Sequence, residues 1–273
     1  MLRREGLNPF KHHPELPSAF AVFPRHARSA AEVVWIPVQG CSVFHFANSW
    51  EDPSDGTLVV IGCRSTTVTM ARDAEAKSGE RSLSFAETAA HMYLWRLDVQ
   101  RGVCVEERRL SDAAVDFPQV DQTRHGRPSR FAYAVELLQG PEVLAKAGVD
   151  NPDALFYLPT VVKFDLEAAL RGDGAAERRY SFHNAGRPGA QAYGTETVFA
   201  PRHGRGAGSA PGLERGGGDD GWLVSFSHDE GTGLTECHVI DAVTMRLQAR
   251  LAMPVAVPFG FHAWWILGED VVA

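Results

Sequence analysis

The sequence of 273 residues lacks the features that mark a nucleic-acid-binding or membrane-spanning protein. Its 27 lysines and arginines are outnumbered by 34 aspartates and glutamates, and the formal net charge is −7. Binding to nucleic acid needs clustered positive charge that displaces counterions. The sequence contains no uninterrupted run of about 18 apolar residues, the length that a membrane-spanning helix requires. We therefore expect neither a nucleic-acid partner nor a transmembrane segment.

Cysteine is scarce as well, and its spacing argues against two common kinds of site. The four cysteines lie far apart and form no Cys-x-x-Cys pair: Cys41, Cys63, Cys104 and Cys237. This spacing indicates neither a zinc knuckle nor a disulfide framework, and it favours a reducing, intracellular environment. The first ten residues have neither the apolar stretch of a secretory signal nor the composition of a transit peptide, so the sequence does not distinguish plastid from cytosol.

Several well-known catalytic motifs are absent too. The sequence has no Gly-x-Ser-x-Gly elbow, His-Glu-x-x-His pair, kinase loop or dinucleotide-binding fingerprint, which argues against the most common hydrolases, zinc proteases and nucleotide-dependent enzymes. The Gly-rich segment 201–218 has no Gly-Lys-Ser/Thr ending, so we predict a flexible surface loop there rather than a phosphate-binding loop. The Ala- and Glu-rich segment 73–91 predicts a short helix or an excursion between strands.

The hydrophobic pattern that is present has mainly the period of two that is typical of β-strands. Short runs rich in β-branched and aromatic residues, bounded by turn residues, occur at 57–63, 91–98, 131–135, 161–166 and 221–226. Turn-forming residues at 229–233 and 241–244 each separate two such runs and predict β-hairpins. We therefore predict an all-β fold of mostly antiparallel strands: a propeller, a barrel or a sandwich.

Two histidines lie in aromatic, strand-like surroundings at opposite ends of the chain. His45 stands between Phe44 and Phe46, and His262 follows Phe261 and precedes two tryptophans. An imidazole in such surroundings offsets its lost hydration only if both ring nitrogens find partners, and a metal on one nitrogen with a carboxylate on the other provides both. The two histidines are therefore candidates for one shared metal centre. The alternative for each is a hydrogen-bonded core histidine without a metal.

Eight short blocks carry a family resemblance. In chain order they are 20–25 (FAVFPR), 44–52 (FHFANSWED), 115–118 (VDFP), 126–133 (GRPSRFAY), 163–166 (KFDL), 193–202 (YGTETVFAPR), 219–230 (DDGWLVSFSHDE) and 257–262 (VPFGFH). With these blocks the chain resembles the carotenoid cleavage oxygenases, a family that includes the retinoid isomerase of the retinal pigment epithelium. It is most similar to the plant and algal carotenoid cleavage dioxygenases.

The resemblance implies a seven-bladed β-propeller with one non-haem Fe(II) held on its axis by four histidines. Imidazole suits Fe(II), and four neutral ligands leave positions open for dioxygen. In such an enzyme both oxygen atoms are added across one conjugated double bond of a carotenoid or apocarotenoid, which gives two carbonyl products. His45 and His262 match two of the four ligand positions. The lipid-soluble substrates favour contact with a membrane surface, but the sequence contains no basic amphipathic helix for it.

Two acidic residues match positions that, in this family, accept hydrogen bonds from the outer nitrogens of the ligand histidines. These residues are Asp116, which we pair with His45, and Glu196, which we pair with His262. Such a partner fixes the tautomer and orients the ring. Because aspartate is one methylene shorter than glutamate, we expect the Asp116 contact to be longer or mediated by water. Without the resemblance, Asp116 would be interpreted as a turn or cap residue and Glu196 as an exposed strand residue.

The main departure from the family is that two ligand histidines have no match. The family's first two ligands precede the block at 20–25, and His12, His13 and His26 do not fit their contexts. We therefore expect residues 1–273 to be the C-terminal part of an oxygenase domain, without the N-terminal blades and inactive alone, and we favour an incomplete reading frame over a natural short form. Two alternatives stay open: stilbene cleavage or retinoid isomerisation on the same iron, and a non-catalytic remnant that acts as a binding module. The oligomeric state is left open.

Overall fold

The structure is a computed structural model in which the regular secondary structure of the described residues is almost entirely β-strand. It describes residues 13, 15–67, 88–139, 156–173, 176–182, 192–202, 218–229, 231–258 and 262–266. The segment 73–91, for which the sequence predicts a helix or excursion, lies outside the described residues except for its last four positions. The segment 201–218, predicted to be a flexible loop, lies outside them except for its two first residues and its last one.

Sixteen strands and one α-helix make up the regular structure of the described residues. The strands are β1 (Ser18–Val22), β2 (Val34–Val38), β3 (Ser42–Glu51), β4 (Leu58–Ser65), β5 (His91–Asp98), β6 (Val103–Gln119), β7 (Phe131–Glu136), β8 (Leu138–Gln139), β9 (Phe156–Tyr157), β10 (Thr160–Asp165), β11 (Glu177–Ser181), β12 (Ala192–Gly194), β13 (Val198–Pro201), β14 (Gly221–Asp229), β15 (Leu234–Asp241) and β16 (Arg246–Ala252). Helix α1 is Leu166–Arg171, and two 3-10 turns are Ala30–Glu32 and Gln122–Arg124.

Two large antiparallel sheets dominate the fold. The first has seven strands in the order β11-β10-β7-β6-β5-β4-β3, and the second has five, β12-β14-β15-β16 with β13 also paired to β14. β1 and β2 form a separate pair, as do β8 and β9. All these pairings are antiparallel, so the predicted all-β, mainly antiparallel architecture is confirmed.

The long strand β6 holds the first sheet together. Its first part pairs with β5, from Val103 opposite Asp98 to Ala114 opposite His91, and its last part pairs with β7. One strand therefore belongs to two successive hairpin-like groups. Its C-terminal end, which carries Asp116, lies where the chain leaves the β5 pairing, and this end forms one side of the site described below.

The predicted strands and hairpins agree closely with those observed. The run at 161–166 ends one residue earlier than predicted, because the Asp165 side chain accepts a hydrogen bond from the Ala168 amide at 3.1 Å and caps α1, so that Leu166 is helical. In the predicted hairpin turns, the Gly233 amide bonds to the Asp229 carbonyl and the Met245 amide to the Asp241 carbonyl, both at 2.8 Å.

The hydrophobic core lies within the first sheet and between the two sheets. Strands β4 to β7 and β10 contribute one cluster of buried aliphatic and aromatic side chains. A second cluster joins the sheets, with Tyr133 and Val161 from the first and Leu223 and Ile240 from the second. No helix in the described part of the chain combines the length and the apolar character needed to cross a bilayer.

Candidate functional site

His45 lies on β3, the edge strand of the seven-stranded sheet. Its neighbours Phe44 and Phe46 are about half exposed, whereas the His45 side chain is 27% exposed and turns toward the sheet. The alternation expected for a strand is therefore present around this histidine. The register against β4 shifts twice here, once between Val43 and Phe46, which includes His45, and once between Phe46 and Asn48. Such bulges bend a strand and redirect its side chains, and they are common beside functional sites.

The His45 ring is held by the buried carboxylate of Asp116. Its Nδ1 lies 2.8 Å from Asp116 Oδ1, and because an ionised carboxylate can only accept, Nδ1 carries the proton. The hydrogen bond to Asp116 is the main reason why the pKa of His45 lies above its usual value. Asp116 also accepts from the Phe117 amide at 2.9 Å and faces the Cys63 thiol, whose pKa is raised chiefly by burial.

The expectation of a longer or water-mediated contact for the shorter Asp116 side chain is wrong. The contact is direct, since β3 passes close enough to the end of β6 for an aspartate to reach the ring. The carboxylate is nearly inaccessible to solvent, with 5% of the residue exposed. A buried carboxylate that accepts from one ring nitrogen fixes both the tautomer and the orientation of that histidine.

His262 faces the second buried carboxylate, that of Glu196. The distance from His262 Nδ1 to Glu196 Oε2 is 3.3 Å, longer than the His45 contact. The Glu196 carboxylate is held from behind, because Oε1 accepts from Gln119 Nε2 and Oε2 accepts from the Ala263 amide, both at 2.7 Å. The His262 side chain itself is 65% exposed, and its contact with Glu196 is electrostatic rather than a hydrogen bond.

The fold brings the two histidines, 217 residues apart in sequence, into contact. Their ring centroids are 5.2 Å apart and the ring planes meet at 70°. Phe117 packs against both, with its ring centroid 4.9 Å from His45 and 6.1 Å from His262. All four candidate residues from the sequence, His45, His262, Asp116 and Glu196, thus lie at one place; Asp116 is hydrogen-bonded to His45 as predicted, whereas Glu196 lies 3.3 Å from His262 without the predicted hydrogen bond. Their role toward a metal stays a prediction.

Three further residues of the site have no predicted role. Phe117 lies inside a block that carries the resemblance, but the sequence gives no sign of its backbone conformation, with φ at +53°. Gln119 supports Glu196, and Cys63 adjoins Asp116. The latter two are ordinary polar and small residues at strand positions, and only the three-dimensional register shows that they reach the site.

The two imidazoles suit a metal that takes neutral nitrogen ligands, although they do not complete a metal site. Each ring presents Nδ1 to a carboxylate, and within the described ranges neither Nε2 has a hydrogen-bond partner. The described residues contain no cluster of three or more His, Cys, Asp and Glu side chains arranged to hold a metal. Iron would therefore find two neighbouring imidazole nitrogens here, and a stable centre would need more ligands.

This site lies in a fold and a sequence pattern shared with known proteins. The chain matches the family described as retinal pigment epithelial membrane protein (RPE65) over residues 1–267, and it belongs to that family. It is 30% identical over 261 residues to carotenoid 9,10(9',10')-cleavage dioxygenase 1 of Phaseolus vulgaris, and 31% identical over 255 residues to the carotenoid 9,10(9',10')-cleavage dioxygenase of Crocus sativus. The resemblance to carotenoid cleavage oxygenases is thereby confirmed.

The shared region covers most of this chain and less than half of its relatives. Each alignment includes 92% of the chain but only 41% of the plant protein, so the chain spans about two fifths of the length of these relatives. Among solved structures, cobalt-substituted apocarotenoid oxygenase (ACO) of Synechocystis matches with a TM-score of 0.68 and 21% identity, over 94% of this chain and 45% of the oxygenase. This structural match establishes the common fold.

Proposed function

We propose that the chain forms part of a non-haem Fe(II) dioxygenase that cleaves a conjugated double bond of a carotenoid or apocarotenoid into two carbonyl products. The observation that carries the proposal is the pair of imidazoles whose ring centroids are 5.2 Å apart, with Nδ1 of His45 hydrogen-bonded to one buried carboxylate and Nδ1 of His262 3.3 Å from another. A histidine with only a packing role would need neither a neighbouring imidazole nor a carboxylate at Nδ1 that leaves Nε2 available to a metal. Family membership and the named plant relatives support the same substrate class.

In the proposed enzyme, His45 and His262 are two of the imidazole ligands of the iron, through Nε2. Asp116 and Glu196 hold the proton on Nδ1 of each ring, so that Nε2 keeps its lone pair and the ligand is more basic. Bound Fe(II) would supply the site at which dioxygen is activated for addition across the double bond. The proposed complete architecture is a seven-bladed propeller, in which the two large sheets of this chain supply neighbouring blades.

Metal binding by the chain itself tests the ligand assignment. Anaerobic calorimetric titration with Co(II), a stable probe for Fe(II), should show one weak site, because two imidazoles are fewer ligands than a stable centre needs, and His45→Ala or His262→Ala should weaken it further by at least about tenfold. Asp116→Asn should cost about 10- to 100-fold, because the amide no longer enforces the Nδ1–H tautomer. His228→Ala is the matched control, since His228 lies on β14 and contacts Thr235 instead. Equal affinity in all variants would refute the metal site.

The substrate class needs a separate experiment on the complete gene product. Incubation with C40 carotenoids, apocarotenoids, stilbenes and retinyl esters, followed by mass spectrometry, should yield aldehyde or ketone fragments from the first two groups only. In oxygen-18 gas each fragment should carry label before exchange with water. Cleavage of stilbenes or isomerisation of retinyl esters in place of carotenoid cleavage would overturn the proposed reaction.

A further inference from the structure

The last four residues of β6 reach both histidines of the site. Asp116 contacts His45 directly at 2.8 Å. Three positions later, Gln119 donates from Nε2 to Glu196 Oε1 at 2.7 Å, and the other oxygen of Glu196 faces His262. The carboxylate behind one imidazole and the amide that supports the carboxylate behind the other therefore come from the same short stretch of one strand.

Regular strand geometry would not allow this. Side chains alternate between the two faces of a sheet, so positions separated by three residues point in opposite directions. Here Asp116 is opposite Val135 and Gln119 is opposite Tyr133, which means that three steps on β6 match two steps on β7. The extra residue of this bulge returns Gln119 to the side on which Asp116 lies.

The local residues accommodate the bulge. Phe117 has a φ of +53°, a conformation that is rare for a bulky residue and that costs energy unless its surroundings impose it. Pro118 has no amide hydrogen and interrupts the ladder without leaving a donor unpaired. The Phe117 amide is satisfied by Asp116 Oδ1 at 2.9 Å. The strained residue thus lies between Asp116 and Gln119, the two residues whose side chains the bulge brings to the same side of the strand.

Gln119 matters because Glu196 has little other support. With 6% of the residue exposed, Glu196 cannot be solvated by bulk water, so each of its oxygens needs a protein donor. Oε2 receives the Ala263 amide, while Oε1 receives Gln119. Without the Gln119 amide, Oε1 would be a buried acceptor that has lost its donor. The carboxylate would then lower its free energy by rotating toward another donor, and its direction toward His262 would be lost.

We propose that Gln119 is a positioning residue of the histidine pair, and that the bulge at 116–119 lets one strand align both imidazoles. Asp116 sets the His45 ring directly, and Gln119 sets the His262 ring through Glu196. The assignment deepens the proposed function, on which it rests for the role of the histidines as ligands, but its central claim concerns which ring nitrogen of His262 faces Glu196, a contact of 3.3 Å, and can be measured without a metal.

The test is the tautomer of His262, read from long-range nitrogen-15 NMR spectra of the imidazoles in the full chain at a fixed pH near 8. In the wild type, Nδ1 of His262 should appear protonated and Nε2 unprotonated. Gln119→Met, which keeps length and removes the donor, should abolish this preference and bring the two nitrogen signals together, while His45 stays unchanged. Gln39→Met is the matched control, because Gln39 is exposed and bonds to Arg64.

Two further measurements separate positioning from a merely structural role. Glu196→Gln should produce the same loss for His262, and the double variant should lose no more than either single variant, since Gln119 acts through Glu196. Co(II) affinity should fall about tenfold in Gln119→Met. If that variant fails to fold, hydrogen exchange in the wild type decides: the side-chain amide of Gln119 should exchange much more slowly than that of Gln39.

The outcomes distinguish this inference from the proposed function. An unchanged His262 tautomer in Gln119→Met, or rapid exchange of the Gln119 amide, would overturn the positioning role whatever the metal data show. A lost tautomer preference, together with no Co(II) binding by the wild type, would support the positioning role and refute the metal site.

Discussion

The buried pair Lys163 and Asp219 provides the sharpest test of how the two sheets are joined. Lys163 comes from β10 in the first sheet and is 4% exposed. Its Nζ lies 2.5 Å from Asp219 Oδ2, just before β14, and 2.7 Å from the carbonyl of Ala242, just after β15. The ammonium also lies 4.2 Å from the centre of the Phe131 ring. One cation therefore connects three segments across the interface between the sheets.

The expected magnitude follows from the balance between burial and pairing. Desolvation lowers the pKa of Lys163 even though the neighbouring Asp219 acts to raise it, so burial of the charge outweighs the attraction. Removing one partner should leave an uncompensated buried charge, and Asp219→Asn should reduce the free energy of unfolding by about 3–5 kcal/mol. Replacing both, in Lys163→Met with Asp219→Leu, should change it by less than about 2 kcal/mol, because neither charge remains to be desolvated.

Urea unfolding followed by tryptophan fluorescence and circular dichroism measures these differences. Glu167→Gln is the control, since it breaks the exposed Glu167–Arg171 pair on α1, which is worth at most about 0.5 kcal/mol. A cost for Asp219→Asn no larger than that of the control would refute the view that the pair is buried and coupled. If the double variant lost as much stability as Lys163→Met and Asp219→Leu lose together when each is made alone, the claim that the unpaired charge causes the loss would be refuted.

Three other predictions concern stability. Gly221→Ala should cost about 1–3 kcal/mol, because its Cβ would lie 2.5 Å from a backbone oxygen of β13, whereas Gly40→Ala, with 3.9 Å of space, should be nearly neutral in the same urea assay. Burial raises the pKa of Tyr180 to about 12, so the folded state keeps a proton that the unfolded chain releases near pH 10. The free energy of unfolding should therefore fall between about pH 10 and about pH 12, by up to about 1.4 kcal/mol per pH unit. Tyr180→Phe should remove the part of this pH dependence that comes from Tyr180. Asn48 makes three hydrogen bonds to the backbone of 124–127, and Asn48→Ala should cost about 2–3 kcal/mol and speed amide exchange in that loop.

Each of these has a clear contrary result. Equal stability of the two glycine variants would show that β13 can move away from a methyl group. If Tyr180→Phe left the alkaline pH dependence of stability unchanged, the proton released on unfolding would have to come from another residue. Unchanged exchange in 124–127 would mean that the loop is held by contacts other than those of Asn48.

The strands could be predicted because their pattern is local. Runs of alternating character with β-branched and aromatic residues specify a half-buried surface, and turn residues such as Asp229 and Asp241 specify hairpins by hydrogen bonds to their own neighbours. The pairing of His45 with His262 is not local. Their aromatic surroundings made them candidates for one centre, but only the family blocks assigned them to it, since no spacing rule relates two residues 217 positions apart.

The bulge and its consequences lie beyond what the pattern of residue types can indicate. A period of two assigns Asp116 and Gln119 to opposite faces, so the sequence alone argues against their joint role. The positive φ of Phe117 accompanies the packing of its ring against both imidazoles, and those contacts exist only in the folded chain. The sequence therefore predicts the carboxylates but not the residue that holds one of them.

The different exposure of the two imidazoles explains why the site needs unequal support. The His45 ring is enclosed by sheet and aromatic neighbours, so packing restricts it even before its hydrogen bond is counted. The His262 side chain is largely exposed, so its ring rotation is opposed by fewer contacts, namely those with His45, Phe117 and the Glu196 carboxylate that it faces. That acceptor must itself be immobile to have this effect, and Glu196 is immobilised by two donors, one from the segment of His262 itself and one from β6. Gln119 is thus needed because His262 is exposed, although Gln119 makes no direct hydrogen bond to that ring.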